Sequence, residues 1–268
     1  MTSAKPGRAK RRPAPDETWG SVRLAEMGLT GGQQKILAVL ASVVGILVMA
    51  FVLVFVVEAF GDDPVAEQQS SSPLGQARPA AYRAWPSLKQ FAPIADRAAD
   101  AKPLTVEEVF GSKTLKAGKI SLKLGERQLD ADCGSTVWGG DLTDALETAG
   151  CTQAARALFT SADGRYVAQY TLYNLASAAA ADELVGKLAS LYRGGWVLPL
   201  PAGTPALTGF TESSGHAMGH YAGLVWIGRA DGAQPEDTDD MVTLSLAVRE
   251  AEKVVYRRVV AVTGVPAN

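Results

Sequence analysis

The chain has 268 residues, a formal net charge of −2 and 47% hydrophobic residues. That length fits one or two domains. The near-neutral balance excludes the strongly basic surface that nucleic-acid binding uses, so no nucleic-acid partner is expected.

Residues 1–35 carry Lys5, Arg8, Lys10, Arg11, Arg12, Arg23 and Lys35 against three acidic residues. They read as a basic, largely disordered tail. Within it Trp19, Val22, Leu24, Met27 and Leu29 could dock on a partner or a membrane surface, although Gly20 and Gly28 weaken a helix there.

Residues 36–57, ILAVLASVVGILVMAFVLVFVV, hold no charge and no Pro. As a helix they would span roughly 33 Å, enough for a hydrocarbon core of about 30 Å. Basic residues precede the run; Glu58, Asp62, Asp63 and Glu67 follow it, with no Lys or Arg before Arg78. The positive-inside rule then sets the N-terminus in the cytoplasm and the rest of the chain outside. A signal peptide cut after Ala59 is the alternative, but the apolar run exceeds the about 7–15 residues of such a segment. The expected location is a cell membrane crossed once, with the bilayer as one partner. Ala38, Ala41, Ser42 and Gly45 would let two such helices approach closely, which allows a homodimer.

Residues 58–103 read as a flexible linker and stalk rich in Ser, Pro and Ala, the part from Ala80 to Pro103 packing in part on the domain with Trp85 and Phe91 as candidate contacts. Residues 104–268 read as an extracytoplasmic α+β domain. A helical turn is expected over 106–110, strands over 114–124 and 129–137, and a helix capped by Asp141 and ended by Gly150. Asp163-Gly164 between apolar runs predicts a hairpin of 154–160 and 165–174. A helix over 177–192, a short strand over 196–200, a loop over 201–215, a strand over 220–229 and an amphipathic helix over 237–262 complete the order. The series ββαββαββα lacks regular βαβ crossovers. It predicts a mostly antiparallel sheet with helices packed on one face.

Cys133 and Cys151 are the only cysteines. Both fall on the expected outer side, where an even count suggests one disulfide. His216 and His220 stand four apart, a metal-ligand spacing on a helix, but Gly215 and Gly219 point to a turn where that rule fails. Ser213 and Ser214 near His216 could supply a nucleophile, although closeness in sequence is weak support for a triad. The run Glu236-Asp237-Thr238-Asp239-Asp240 fits a helix N-terminus better than a calcium loop. Gly111-Ser112-Lys113-Thr114 lacks the glycines of a phosphate loop. No catalytic residue, metal site or cofactor is assigned.

The Ala-, Arg-, Gly- and Val-heavy composition, the stretch from Asp132-Cys133 to Gly150-Cys151-Thr152-Gln153, and Gly219-His220-Tyr221 resemble a loose group of single-pass membrane proteins of high-GC bacteria. That resemblance covers the outer domain and implies no activity. The sequence therefore predicts a membrane-anchored, non-catalytic module that binds a protein or envelope component. An envelope hydrolase or metal-dependent enzyme using the His216–His220 loop is the alternative.

Overall fold

The computed structural model describes residues 77–200 and 207–264, together with residues 36, 39–42 and 49. The chain divides into two compact units, Met1–Val65 and Ala66–Asn268. In the first, the described residues are helical and exposed. Among the described residues no helix is long and apolar enough to cross a membrane. The span expected over 36–57 lies almost wholly outside them.

The second unit is α+β. Its strands are β1 (Ala81–Trp85), β2 (Thr114–Ala117), β3 (Ile120–Asp130), β4 (Val137–Trp138), β5 (Gln153–Ser161), β6 (Tyr166–Asn174), β7 (Trp196–Val197), β8 (Thr211–Met218) and β9 (Tyr221–Arg229). Its helices are α1 (Val106–Phe110), α2 (Gly140–Thr148), α3 (Ala178–Leu191), α4 (Met241–Arg249) and α5 (Lys253–Thr263). Seven strands form one sheet in the order β1-β8-β9-β6-β5-β3-β2, and β4 pairs with β7 apart from it. Every pair in the large sheet is antiparallel except β1–β8.

Alternation along the central strands sorts the core into two layers. Ala168, Tyr170 and Leu172 of β6, with Val225 and Ile227 of β9, pack against Leu244, Val248 and Val255 of α4 and α5. The sheet curls around α4, which touches β9, β6, β3 and β2. From the same strands Val167, Tyr173, Leu224 and Trp226 point the other way, to α2, α3 and the β4–β7 pair. The C-terminal helices thus pack on one face as the element order implies, and α2 and α3 cover the other. β6 and β9 are buried on both faces, with Gln169, Thr171 and Asn174 of β6 among the buried residues.

Several boundaries differ from the sequence reading. The strand expected over 114–124 is a hairpin, β2–β3, turning at Gly118-Lys119 with Gly118 at φ 51°. A two-residue turn needs such a backbone, and glycine adopts it without strain. The second strand expected over 129–137 is the end of β3, a 3-10 turn at Gly134–Thr136, and β4. Asp141 lies inside the first turn of α2, and Gly139 is its N-cap. The helix expected over 237–262 begins at Met241, capped by Asp240. It breaks into α4 and α5 at a 3-10 turn, Glu250–Glu252.

The stalk expected to run through residue 103 is folded from Ala81 onward. It supplies β1 and two 3-10 turns, Lys89–Ile94 and Arg97–Asp100. Phe91 and Ile94 enter the core fully, each contributing about 1.5–3 kcal/mol. Arg258 of α5 fastens the segment. It donates to Asp100 Oδ1 at 2.9 Å, Pro103 O at 3.1 Å and Glu108 Oε2 at 2.7 Å. The Tyr221 hydroxyl donates to Asp100 Oδ2 at 2.7 Å. These partners satisfy a guanidinium and a carboxylate that would be costly to bury alone.

The disulfide Cys133–Cys151 is present, with Cα atoms 6.2 Å apart. It joins the residue before the 3-10 turn Gly134–Thr136 to Cys151, three residues past the end of α2 at Thr148. Gly150 at φ 62° ends α2, and the Cys151 N–H donates to Leu146 O at 3.0 Å, so the cap presents Cys151 to its partner.

Candidate functional site

Two secondary-structure periods converge on one cleft. Along β8, alternate residues share a face, so Glu212, Ser214 and His216 look toward α4. The parallel register pairs Ala81 with Glu212, Arg83 with Ser214 and Trp85 with His216. Arg83 and Trp85 therefore continue the same face onto the last strand. On α4, Val242, Ser245, Leu246 and Arg249 recur at three- and four-residue steps and form the stripe beside the one that enters the core. Between strand and helix lies a cleft of about 210 Å³ lined by these side chains.

The mouth of the cleft is apolar and open. Trp85 is 56% exposed, Leu246 49% and Val242 70%. The Trp85 ring stacks over the His216 imidazole, with centroids 6.4 Å apart at an interplanar angle of 24°.

The floor is polar but internally matched. His216 Nε2 lies 2.8 Å from Ser214 Oγ, and His216 Nδ1 lies 3.7 Å from Glu252 Oε1. Arg249 donates from Nε to both oxygens of Glu252 at 3.0 Å. Burial, helped by the Arg249 charge, pushes His216 down to about 3. Burial raises the Glu252 carboxyl, against the pull of Arg249.

A serine, a histidine and a glutamate thus stand in line, but without the spacing of a hydrogen-bonded triad. A general base works best with a pKa near the working pH, and His216 lies far below it. At 3.7 Å the carboxylate is out of hydrogen-bond reach of Nδ1, so it does not hold the ring as a triad acid does. β8 is paired on both edges, which commits its amides to the ladders rather than to a developing oxyanion. The charges of the floor, Arg249 and Glu252, are paired with each other.

The two histidines expected to share a loop are separated by role. The region read as a loop through Gly215 is strand β8 from Thr211 onward, so His216 sits in a strand and His220 at the β8–β9 turn. The His220 backbone N–H and Nδ1 both lie 2.9 Å from Ile94 O, which fixes Nδ1 as the donor. Its Nε2 is buried, 4.0 Å from Asp100 Oδ2. Among the described residues no group of three His, Cys, Asp or Glu side chains is placed to hold a metal ion. Ser213 donates to Val225 O at 2.6 Å. In the acidic run, Asp240 caps α4 and Asp239 receives Arg165, Arg229 and the Tyr166 hydroxyl.

Sequence reasoning marks Trp85 only as a possible contact of the stalk and misses Arg83, Val242, Ser245, Leu246 and Arg249 as lining residues. The available signal was Tyr82 and Trp85 within a segment otherwise read as stalk, aromatic residues that favour a strand. A second cleft of about 210 Å³ lies beside α1 and α5, lined by Glu107, Glu108, Lys253 and Arg257 among others. Its lining carries acids and bases together and no exposed aromatic group. Comparison of the chain with protein-family models, curated proteins and solved structures finds no match.

Proposed function

We propose that the chain is a non-catalytic binding module whose ligand site is the cleft between the β1–β8 edge and α4. The observation that carries this reading is the exposure of Trp85, Val242 and Leu246 around a concave surface whose floor charges are paired. Exposed apolar groups grouped at a concavity mark binding surfaces. We further propose that residues 36–57 anchor the module in a membrane, with the basic tail in the cytoplasm and the cleft outside. The uncharged run, its asymmetric flanks and a disulfide suited to an oxidising compartment support that placement.

The test is co-purification of the tagged full-length chain from native membranes, beside a Trp85→Ser, Leu246→Ser double variant. The expected outcome is an envelope component held by the native chain and lost from the variant, with the melting temperature unchanged. The 2.8 Å contact between Ser214 and His216 favours a second reading, a serine hydrolase. Ester turnover by the native chain that disappears in Ser214→Ala would establish that reading and overturn the first.

A further inference from the structure

We propose that the cleft binds an extended peptide, added as a new strand along the open edge of β1, with an acidic side chain over Arg83 and apolar side chains toward Trp85 and Leu246. This inference rests on reading the cleft as the binding site and names its ligand class.

The first support is the edge itself. β1 ends the seven-stranded order, so one side pairs with β8 and the other pairs with no described strand. A free edge is a row of N–H and C=O groups that another extended chain can satisfy. Natural edges are usually blunted by lysine, proline or a bulge. The opposite end strand, β2, follows that rule, with Lys116 within it and Lys113 and Lys119 at its ends. β1 is less protected: its five residues hold one charge, Arg83, and no Pro, although Pro86 follows it directly, and its register with β8 runs without a shift.

The second support is spacing. A strand added to β1 presents alternate side chains to the cleft face every ~6.6 Å. Arg83 and Trp85 repeat at that period on β1. Val242 and Leu246, one helical turn apart, repeat at ~6 Å on the facing wall. Successive inward side chains of a peptide on that edge therefore match the spacing of Arg83 and Trp85.

The third support is charge. Arg83 lines the cleft and forms no ion pair with any described residue, whereas Arg249 is committed to Glu252. Glu212 stands beside Ala81, one alternation away. A peptide carboxylate is thus favoured over Arg83 and disfavoured over Ala81, which fixes register as well as composition. The same charge argues against a second copy of this chain. Antiparallel pairing of two β1 edges centred on Arg83 would set the two guanidiniums directly opposite each other, and like charges so placed are destabilising.

The test uses the full-length chain in detergent and a synthetic array of heptapeptides. Each has leucine or valine at positions 2 and 6, glutamate at 4 and threonine elsewhere. One matched set carries lysine at 4, and a second carries N-methyl groups on alternate backbone amides. The expected result is binding of glutamate peptides at least tenfold tighter than lysine peptides. Arg83→Glu should reverse that preference at unchanged melting temperature. N-methylation should abolish binding, and bound peptide should slow hydrogen exchange in residues 81–85. Binding indifferent to N-methylation and to Arg83→Glu would overturn strand addition. If no peptide binds but small aromatic fragments protect the cleft, strand addition falls while the binding cleft stands. If neither peptides nor fragments reach the cleft, both readings fall.

Discussion

The Tyr82 hydroxyl ends 1.9 Å from the point where a Cβ on Gly215 would stand. Tyr82 crosses over β8 to donate to Val185 O at 2.9 Å, tying β1 to α3 on the side away from the cleft. Gly215 is therefore glycine to let that ring pass. Gly215→Ala is expected to cost about 1–3 kcal/mol by overpacking. In a Tyr82→Phe background the cost should shrink, because the nearest clashing atom is gone. Urea midpoints of the single and double variants check this; equal costs in both backgrounds would separate the two residues.

Arg258 is 4% exposed at its side chain and faces Asp100 at 6%. Arg258→Ala leaves a buried carboxylate without its cation, a loss of about 3–5 kcal/mol. Arg258→Lys should restore little, since one ammonium cannot reach Asp100, Glu108 and the Pro103 carbonyl in the guanidinium's forked geometry. Chemical denaturation of the three proteins gives the comparison.

The disulfide closes a loop with a sequence separation of 18. In the chain-entropy model a loop of that size stabilises the fold by about 3 kcal/mol. Replacing Cys133 and Cys151 together by serine should lower stability by that order. Reduction of the native chain should give a similar loss, and urea unfolding with and without reductant measures it.

His216 titrates near 6.5 when unfolded and is pushed down to about 3 in the fold. Between those values the unfolded chain binds the extra proton, so stability falls as pH drops through 6.5 toward 3. This contribution has a limiting slope of about 1.4 kcal/mol per pH unit. Glu252, whose carboxyl is raised by burial, takes up its proton more readily in the fold and so acts in the opposite direction at the acid end. His216→Gln keeps a polar side chain and removes the titration. Its unfolding free energy should depend less steeply on pH between 6.5 and 5 than that of the native chain. Identical slopes would remove His216 as the source.

Local signals made much of the fold legible. Asp163-Gly164 announces the β5–β6 hairpin, and Gly164 takes φ 73° there. Ser177 caps α3 through the Ala180 N–H, matching the predicted start of that helix. The cleft was not legible in the same way. β1 becomes a strand only by pairing with β8, far along the chain, and nothing near Ala81 encodes that partner. β8 reads as a loop because Ser213, Ser214 and Gly215 are loop-type residues. In the fold, Gly215 admits Tyr82 and Ser213 bonds the neighbouring strand. Nearness in sequence pairs His216 with Ser214, but Glu252 joins them only because the 3-10 turn between α4 and α5 carries it over the sheet.

The parallel β1–β8 ladder also sets an order of assembly. β1 precedes every other described strand and cannot pair until β8 exists, and its neighbouring turns are not locked until Arg258 arrives, 158 residues after Asp100. Distant pairings of this kind form late, because the closure of long loops is the slow step. A product cut short before α5 lacks the lock on that segment. The cleft itself, lined from Ala81 to Arg249, takes shape only when residues made early in the chain meet residues made late.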